Sequence, residues 1–433
     1  MGLTARQEAA RQLQQDAERG SFSGHSRRGI GGDAADERQI TDLVAGVIRW
    51  QRYLDFLIEA LYTGDAVHLE PKVRTVLRLG LLELVITDTP SHAAVHETVE
   101  LAKLHAHPRA AGLVNGILRS VGRLAALPEP NTGDRVTDLA IRHSHPDWMV
   151  KRWMERWTEE EVVTLLEYNN SRPHFGIHNI GLTDEDFDAL GEEGVSWTRS
   201  TVLPDFIRVT SVQPLIRGGA IRDGRARVQD EAAGLVVRAM APEPGQTILD
   251  VCAAPGGKAV YAAHIMQDKG RVLAADVHRN RTRLIKRSVA SMGLTCVETR
   301  VVDGRTPHTD MLEVFDAVLV DAPCSGLGVL SKRADMRWNR KESDIRELGI
   351  LQTELLDGAA RCVRPGGLLV YSTCTTEPDE NETQIRAFLR RNKDWQREDV
   401  PEGVPRDARG AYVSLPQHTG FDGAYAVRLR RPG

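Results

Sequence analysis

The 433-residue sequence holds only five cysteines, Cys252, Cys296, Cys324, Cys362 and Cys374, and no CxxC pair. An odd count without paired spacing argues against a disulfide framework and against a zinc site, and favours a reduced, cytoplasmic chain with no bound metal. No run approaches the roughly 20 apolar residues of a membrane span. The opening Met1-Gly2-Leu3-Thr4-Ala5-Arg6 lacks the apolar stretch of a secretion signal, and Arg6 breaks the myristoylation pattern. Strong charge is missing too. The net charge is −4, so any affinity for a polyanion must come from local patches of Lys and Arg. Neither GxxxxGK[ST] nor GxGxxG occurs, which excludes the usual phosphate-binding and dinucleotide-binding turns. Against these absences stand 41% hydrophobic and 27% charged residues, an ordinary globular balance at a length suited to two or three domains.

Residues 1–128 read as all-helical. Ile40, Leu43, Val44, Val47 and Ile48 recur at helical spacing, as do Val73, Val76, Leu77, Leu81 and Leu84. Pro71, Pro90 and Pro108 punctuate these runs. The Gly/Ser-rich stretch 20–34 reads as a flexible loop, and Leu127-Pro128-Glu129-Pro130-Asn131 as a linker. Residues 135–228 mix a helix over Asp147–Leu165 with short strands such as Phe206–Val209, a small α+β module. Arg217, Arg222, Arg225 and Arg227 cluster near its end and could hold phosphates. From residue 229 to 433 strands and helices alternate. The continuous apolar runs Thr247–Val251, Arg271–Asp276, Phe315–Asp321 and Gly367–Ser372 predict strands covered on both faces, hence a largely parallel, doubly wound, Rossmann-like α/β sheet. Its ligands belong beyond the carboxyl ends of the strands.

Every chemically suggestive motif falls at such an end. Cys252-Ala253-Ala254-Pro255-Gly256-Gly257-Lys258 leaves the first strand. Its small residues let a ligand approach the backbone, and the helix behind it favours an anion. The methionine carboxylate of S-adenosyl-L-methionine fits that requirement. Asp276 ends the second strand, where an acid can take both ribose hydroxyls. Asp303 ends a probable third strand and could accept from the adenine amino group. Asp321-Ala322-Pro323-Cys324 follows the fourth strand and Ser372-Thr373-Cys374 the next. Two cysteines past neighbouring strands, beside a methyl donor, suit one demand. Carbon 5 of cytosine is too electron-poor to take a methyl group until a thiolate adds to carbon 6. Asp321 stands where an acid could stabilise charge at ring N3.

These motifs resemble the RNA 5-methylcytosine methyltransferase family. Arg49-Trp50, Pro71-Lys72-Val73-Arg74, Ala93-Ala94-Val95-His96-Glu97 and Gly112-Leu113-Val114-Asn115 are similar to the RNA-binding helical domain of the NusB family. The combined arrangement is similar to the branch of the methyltransferase family that acts on a cytosine of 16S ribosomal RNA. The resemblance implies a NusB-like RNA-binding domain over 1–128, an RNA-binding module over 135–228 and an S-adenosylmethionine-dependent methyltransferase domain over 229–433. It makes Cys374 the nucleophile and Cys324 the group that assists release. Residues 252–258, Asp276, Asp303 and Asp321 become cofactor-binding positions. It further implies an RNA substrate, most naturally 16S rRNA, and a monomer without membrane or metal. The same chemistry on transfer RNA, or a catalytically silent RNA-binding assembly factor, are the rival readings. Gln229-Asp230-Glu231-Ala232, Arg333–Trp338 and Glu377–Glu382 also match. Ala334 replaces the family's Pro, His178-Asn179-Ile180 replaces an Arg-Val-Asn strand, and Asp422-Gly423-Ala424-Tyr425 replaces a more aromatic segment. Two basic runs, Arg279, Arg281, Arg283, Lys286 and Arg287, and Lys332, Arg333, Arg337 and Arg340, are expected to border the cysteines with positive charge.

Overall fold

A computed structural model describes residues 4–19, 34–87 and 89–433. Residues 20–33 of the expected flexible loop lie outside the described residues, and Ala34 opens a helix. The chain divides into two compact units, one of residues 1–171 with Leu330–Lys341, the other of 172–329 with 342–433.

The first unit is helical: α1 (Ala5–Arg19), α2 (Ala34–Leu61), α3 (Pro71–Leu81), α4 (Ser91–Leu101), α5 (Ala110–Val121), α6 (Arg135–Arg142), α7 (Asp147–Met154) and α8 (Glu159–Asn170). The predicted apolar stripes meet in one core, where Ile40, Val47, Val76, Leu77 and Leu118 are buried together. Pro71 stands in the first turn of α3, where its missing N–H costs nothing. Residues 147–165, expected as one helix, form two. Thr158 accepts from the Glu161 N–H and Glu161 accepts from the Thr158 N–H, a reciprocal cap that starts α8 afresh. The expected 135–228 segment is thus shared, with its helices α6–α8 in the first unit and its strands in the second.

Leu330–Lys341 also belongs to the helical unit. Ala334 joins its core and Trp338 packs against it. The Trp338 indole N–H donates to the Ile48 carbonyl at 2.7 Å. Arg337 is fully buried, its terminal nitrogens donating to the carbonyls of Arg49, Ser144 and Asn169 and to Asn170 Oδ1. This corrects one expectation: Arg337 does not line the cysteine site but braces the helices, and burial holds its pKa well below the usual arginine range.

The second unit carries two sheets. The smaller is antiparallel, from β1 (Phe175–Asn179), β2 (Trp197–Arg199), β3 (Phe206–Val209) and β4 (Ala226–Val228), in the order β2-β3-β1-β4. The larger contains β5 (Thr247–Asp250), β6 (Arg271–Asp276), β7 (Val297–Val301), β8 (Phe315–Asp321), β9 (Val363–Thr373), β10 (Gln396–Glu398), β11 (Tyr412–Ser414) and β12 (Ala424–Arg430). Its order is β10-β12-β9-β8-β5-β6-β7, with β11 on β12. Strands β5 to β9 pair in parallel, and β10, β11 and β12 add antiparallel pairs. From β5 the chain runs outward to β7, then returns to β8 on β5's other side. That reversal opens a crevice beyond the carboxyl ends of β5 and β8.

Candidate active site

Beyond β5, β8 and β9 lies a pocket of 270 Å³. Its lining includes Ala253, Ala254, Pro255, Gly257, Lys258, Asp321 and Cys374. Seven predicted positions from three segments therefore meet in one cavity. The turn from β5 reaches it because Gly256 adopts φ +103°, and a Cβ there would sit 3.1 Å from Ile285. Lys258, in the first turn of the helix Gly257–Ile265, places Nζ 2.6 Å from Asp321 Oδ2. Asp321 Oδ1 accepts from Ser372 Oγ at 2.9 Å, a bond allowed by the parallel register that sets Asp321 opposite Ser372. Burial acts to lower the Lys258 pKa, but the charge of Asp321 and the bond to it outweigh burial and raise it.

The two sulfurs are 3.3 Å apart. They differ in surroundings: Cys324 is buried and Cys374 exposed. The hydrogen bond to Cys374, with burial second, pushes the Cys324 thiol well above its usual range. The Cys324 loop is fixed from below by Glu380, which accepts from Ser325 N at 2.8 Å, from Ser325 Oγ and from Gln352 Nε2 at 3.0 Å. Gln352 also donates to the Pro323 carbonyl at 2.9 Å. On the Cys374 side, Asn381 Nδ2 donates to the Thr375 carbonyl at 2.9 Å. The two cysteine loops touch where Gly328 N donates to the Cys374 carbonyl at 3.1 Å. A Cβ on Gly328 would lie 2.8 Å from that oxygen. Glu380 and Asn381 were visible in the sequence only as part of a matching string, without a role.

The remaining predicted positions do not line this pocket. Cys252 is half-buried, and burial raises its thiol pKa. Asp276 is buried at the end of β6, accepting from His278 N at 2.9 Å and lying 3.4 Å from Arg281, which also donates to the Ala254 carbonyl. Asp303 lies just beyond β7 and is gripped by Arg305 through both oxygens, which holds its carboxyl below the usual range. Gln229, read only as part of a matching string, and Asp250, read as the acid ending the first strand, were not assigned to the site, yet both line the pocket. Both side-chain atoms of buried Gln229 lack a hydrogen-bond partner, and so do both carboxylate oxygens of Asp250. Burial, then Asp321, pushes the Asp250 pKa up to about 8. The arginine cluster separates. Arg217 pairs with Glu193, Arg222 with Asp223, and Arg225 with Asp186. Arg227 alone of these four lines the pocket, donating to the Pro255 carbonyl at 3.2 Å.

A doubly wound sheet with a small-residue turn and acids at its strand ends defines a methyltransferase of the S-adenosylmethionine-dependent class. Residues 237–430 match the family described as 16S rRNA methyltransferase RsmB/F, and residues 4–123 match the NusB family. A Bacillus subtilis protein named probable ribosomal RNA small subunit methyltransferase B is 34% identical over 406 residues, covering 91% of this chain and 90% of that one. The ribosomal RNA small subunit methyltransferase B of Cronobacter sakazakii is 33% identical over 400 residues, covering 91% and 90%. The chain belongs to the 16S rRNA methyltransferase RsmB/F family. A crystal structure described as PH0851 covers the whole of both chains with a TM-score of 0.79 at 25% identity. A methyltransferase homolog from Pyrococcus horikoshii shares the fold, with a TM-score of 0.58 and 24% identity over 70% of this chain and all of that one.

The cofactor is S-adenosylmethionine, and the residues present fit it. The pocket floor offers unpartnered acceptors and donors on Gln229 and Asp250, and the small residues of the turn leave its backbone open. Among the described residues no helix is long and apolar enough to cross a membrane.

Proposed function

We propose that the chain methylates carbon 5 of a cytosine in 16S rRNA through a covalent adduct at Cys374, as a cytoplasmic enzyme. The observation that carries this reading is the pair of sulfurs 3.3 Å apart at the ends of adjacent parallel strands, one exposed and one buried. S-adenosylmethionine supplies an electrophilic methyl group to this cavity. The exposed Cys374 adds as thiolate to carbon 6, and the electron pair displaced from the 5,6 double bond makes carbon 5 nucleophilic. Addition of the thiolate builds negative charge at ring N3, which a proton passed to N3 by way of Asp321 neutralises, with the cationic Lys258 beside it. Once carbon 5 carries the methyl group, its proton passes to water, the double bond re-forms and the Cys374 thiolate departs. Cys324 is close enough to assist this release. Residues 252–258, Asp276, Asp303 and Asp321 hold the cofactor in this reading. The target base must leave its stack to reach Cys374, so a loop or single-stranded cytosine is the substrate. The NusB-like residues 1–128 and the module at 135–228 contribute RNA affinity.

The test separates the sulfurs. Cys374→Ala should yield neither methylated RNA nor adduct. Cys324→Ala should accumulate a covalent protein–RNA complex on denaturing gels, because addition proceeds and release stalls. RNA containing 5-fluorocytosine should trap the unaltered enzyme, since carbon 5 then has no removable proton. Peptide mapping that found the RNA on Cys324 would overturn the assignment.

A further inference from the structure

Away from the pocket, one buried polar side chain is unsatisfied in a different way. His178, in β1, is completely buried, and neither ring nitrogen has a hydrogen-bond partner. It stacks on Phe206 at 5.2 Å between centroids and meets the edges of Tyr261 at 4.7 Å and His264 at 4.9 Å. Leaving a buried imidazole unpaired is costly, so its surroundings call for a further group. Asp205, in the turn before β3, sends Oδ2 to within 3.7 Å of His178 Nε2. Its other oxygen is occupied, accepting from Tyr261 at 3.2 Å and Arg238 at 3.5 Å. His264, near the end of the helix Gly257–Ile265, brings a second imidazole. One ligand atom from each of the three residues lies within 4.8 Å of the others.

We propose that His178, Asp205 and His264 bind a divalent transition-metal ion, zinc being the ion whose preferences they meet best. Two imidazoles and one carboxylate, with a fourth position left to water, is an established zinc donor set. Bonds of about 2.0–2.2 Å would bring tetrahedral donors to about 3.4 Å from one another, a contraction within reach of side-chain rotation. A surface cleft lined by Asp205, Arg238 and His264 provides an entry path and room for water. The Arg238 and Tyr261 bonds to Oδ1 would orient the carboxylate, as outer partners do at metal sites. The ion would join β1, the turn before β3 and the helix whose first turn carries Lys258. Sequence spacing could not reveal such a site. Its donors come from positions 178, 205 and 264, and the expectation of no metal rested on missing cysteine pairs.

Cobalt(II) is the discriminating probe, because cysteine ligation adds an intense sulfur-to-metal charge-transfer band that nitrogen and oxygen ligands lack. Full-length protein treated with chelator and titrated with cobalt should give visible d–d bands without that band. Zinc should displace the cobalt and raise the melting temperature. His264→Ala and Asp205→Asn, both outside the cofactor pocket, should weaken binding more than about 100-fold, beyond the 10–100-fold that losing an outer partner costs. Circular dichroism would establish that both variants are folded. Absence of cobalt bands, a sulfur charge-transfer band, or affinity in both variants unchanged from the parent protein would each overturn the proposal. The last two outcomes would place any bound metal elsewhere, the Cys324–Cys374 pair being the obvious alternative.

Discussion

Arg337 in the helical unit and Asp250 in the catalytic unit are both buried ionisable side chains, yet the fold treats them oppositely. Arg337 spends its terminal nitrogens on four oxygens of α2, α8 and nearby turns. Asp250, in the same pocket lining as Gln229, has no well-formed hydrogen bond on either carboxylate oxygen and faces the cavity. The first is a brace completed by folding. The second is a cost retained for something that arrives later, because a buried polar group without a partner destabilises the fold until a ligand satisfies it. Burial alone therefore does not separate structure from function here; the state of the hydrogen bonds does.

Breaking the brace is expected to have the largest effect. Arg337→Ala leaves three carbonyls and Asn170 Oδ1 without their donor. The unfolding free energy of the helical unit should fall by about 3–5 kcal/mol, the range for removing one partner of a buried charged constellation. Urea titration of the full chain, followed by tryptophan fluorescence, would register this through Trp338 and its neighbours. Arg337→Met fills the volume but donates nothing, so recovery of full stability in that variant would show that the four bonds contribute little.

Asp250 should respond in the opposite sense. Its folded pKa is raised to about 8 from an ordinary carboxylate value of 3.8, so the folded chain keeps a proton that the unfolded chain releases. Stability from this group is full below pH about 4 and declines as pH rises towards 8. Asp250→Asn removes that decline. The variant's unfolding free energy should gain on the parent's across that window by the order of a few kcal/mol, while its cofactor affinity falls. A constant difference from pH 4 to 8 would mean that Asp250 titrates normally, and the contrast with Arg337 would fail.

The same contrast explains what the sequence could reveal. Strands Arg271–Asp276, Phe315–Asp321 and Phe206–Val209 were readable because strands at this depth are nearly continuous apolar runs. Their ends located Cys324 and Cys374, since in a parallel sheet the loops leaving neighbouring strands share one edge. The short polar strand Gln396–Glu398 carries no such run and went unpredicted. Arg337 reads as surface charge because a one-dimensional pattern cannot distinguish an arginine in solvent from one capping four oxygens supplied by residues about 170 to 290 positions away. Gln229 was seen only as part of a matching string. Its importance rests on an absence of partners, which only coordinates can show.

The smallest expected effects come from the two outlying acids. The comparison sharpens there, because one is buried like the brace and the other is only half-buried. Asp276 is buried and already bonded to His278 N, with Arg281 at 3.4 Å. If it also receives the cofactor's ribose, Asp276→Ala should weaken S-adenosylmethionine binding by about 1.5–3 kcal/mol, the worth of hydrogen bonds to a charged group. Calorimetry would read this as roughly 10- to 150-fold in Kd. Asp303 is half-buried and gripped by Arg305, so a ligand reaching it must displace a guanidinium. Asp303→Ala removes an acceptor already engaged, and the change should stay below about 1 kcal/mol, as for an exposed ion pair. The double variant should then equal the sum of the two, since Asp276 meets His278 and Arg281 whereas Asp303 meets Arg305. A larger loss at Asp303 than at Asp276 would reverse the ranking. It would mean that Arg305 swings away when the cofactor binds, and that Asp303 is the acid held ready for it.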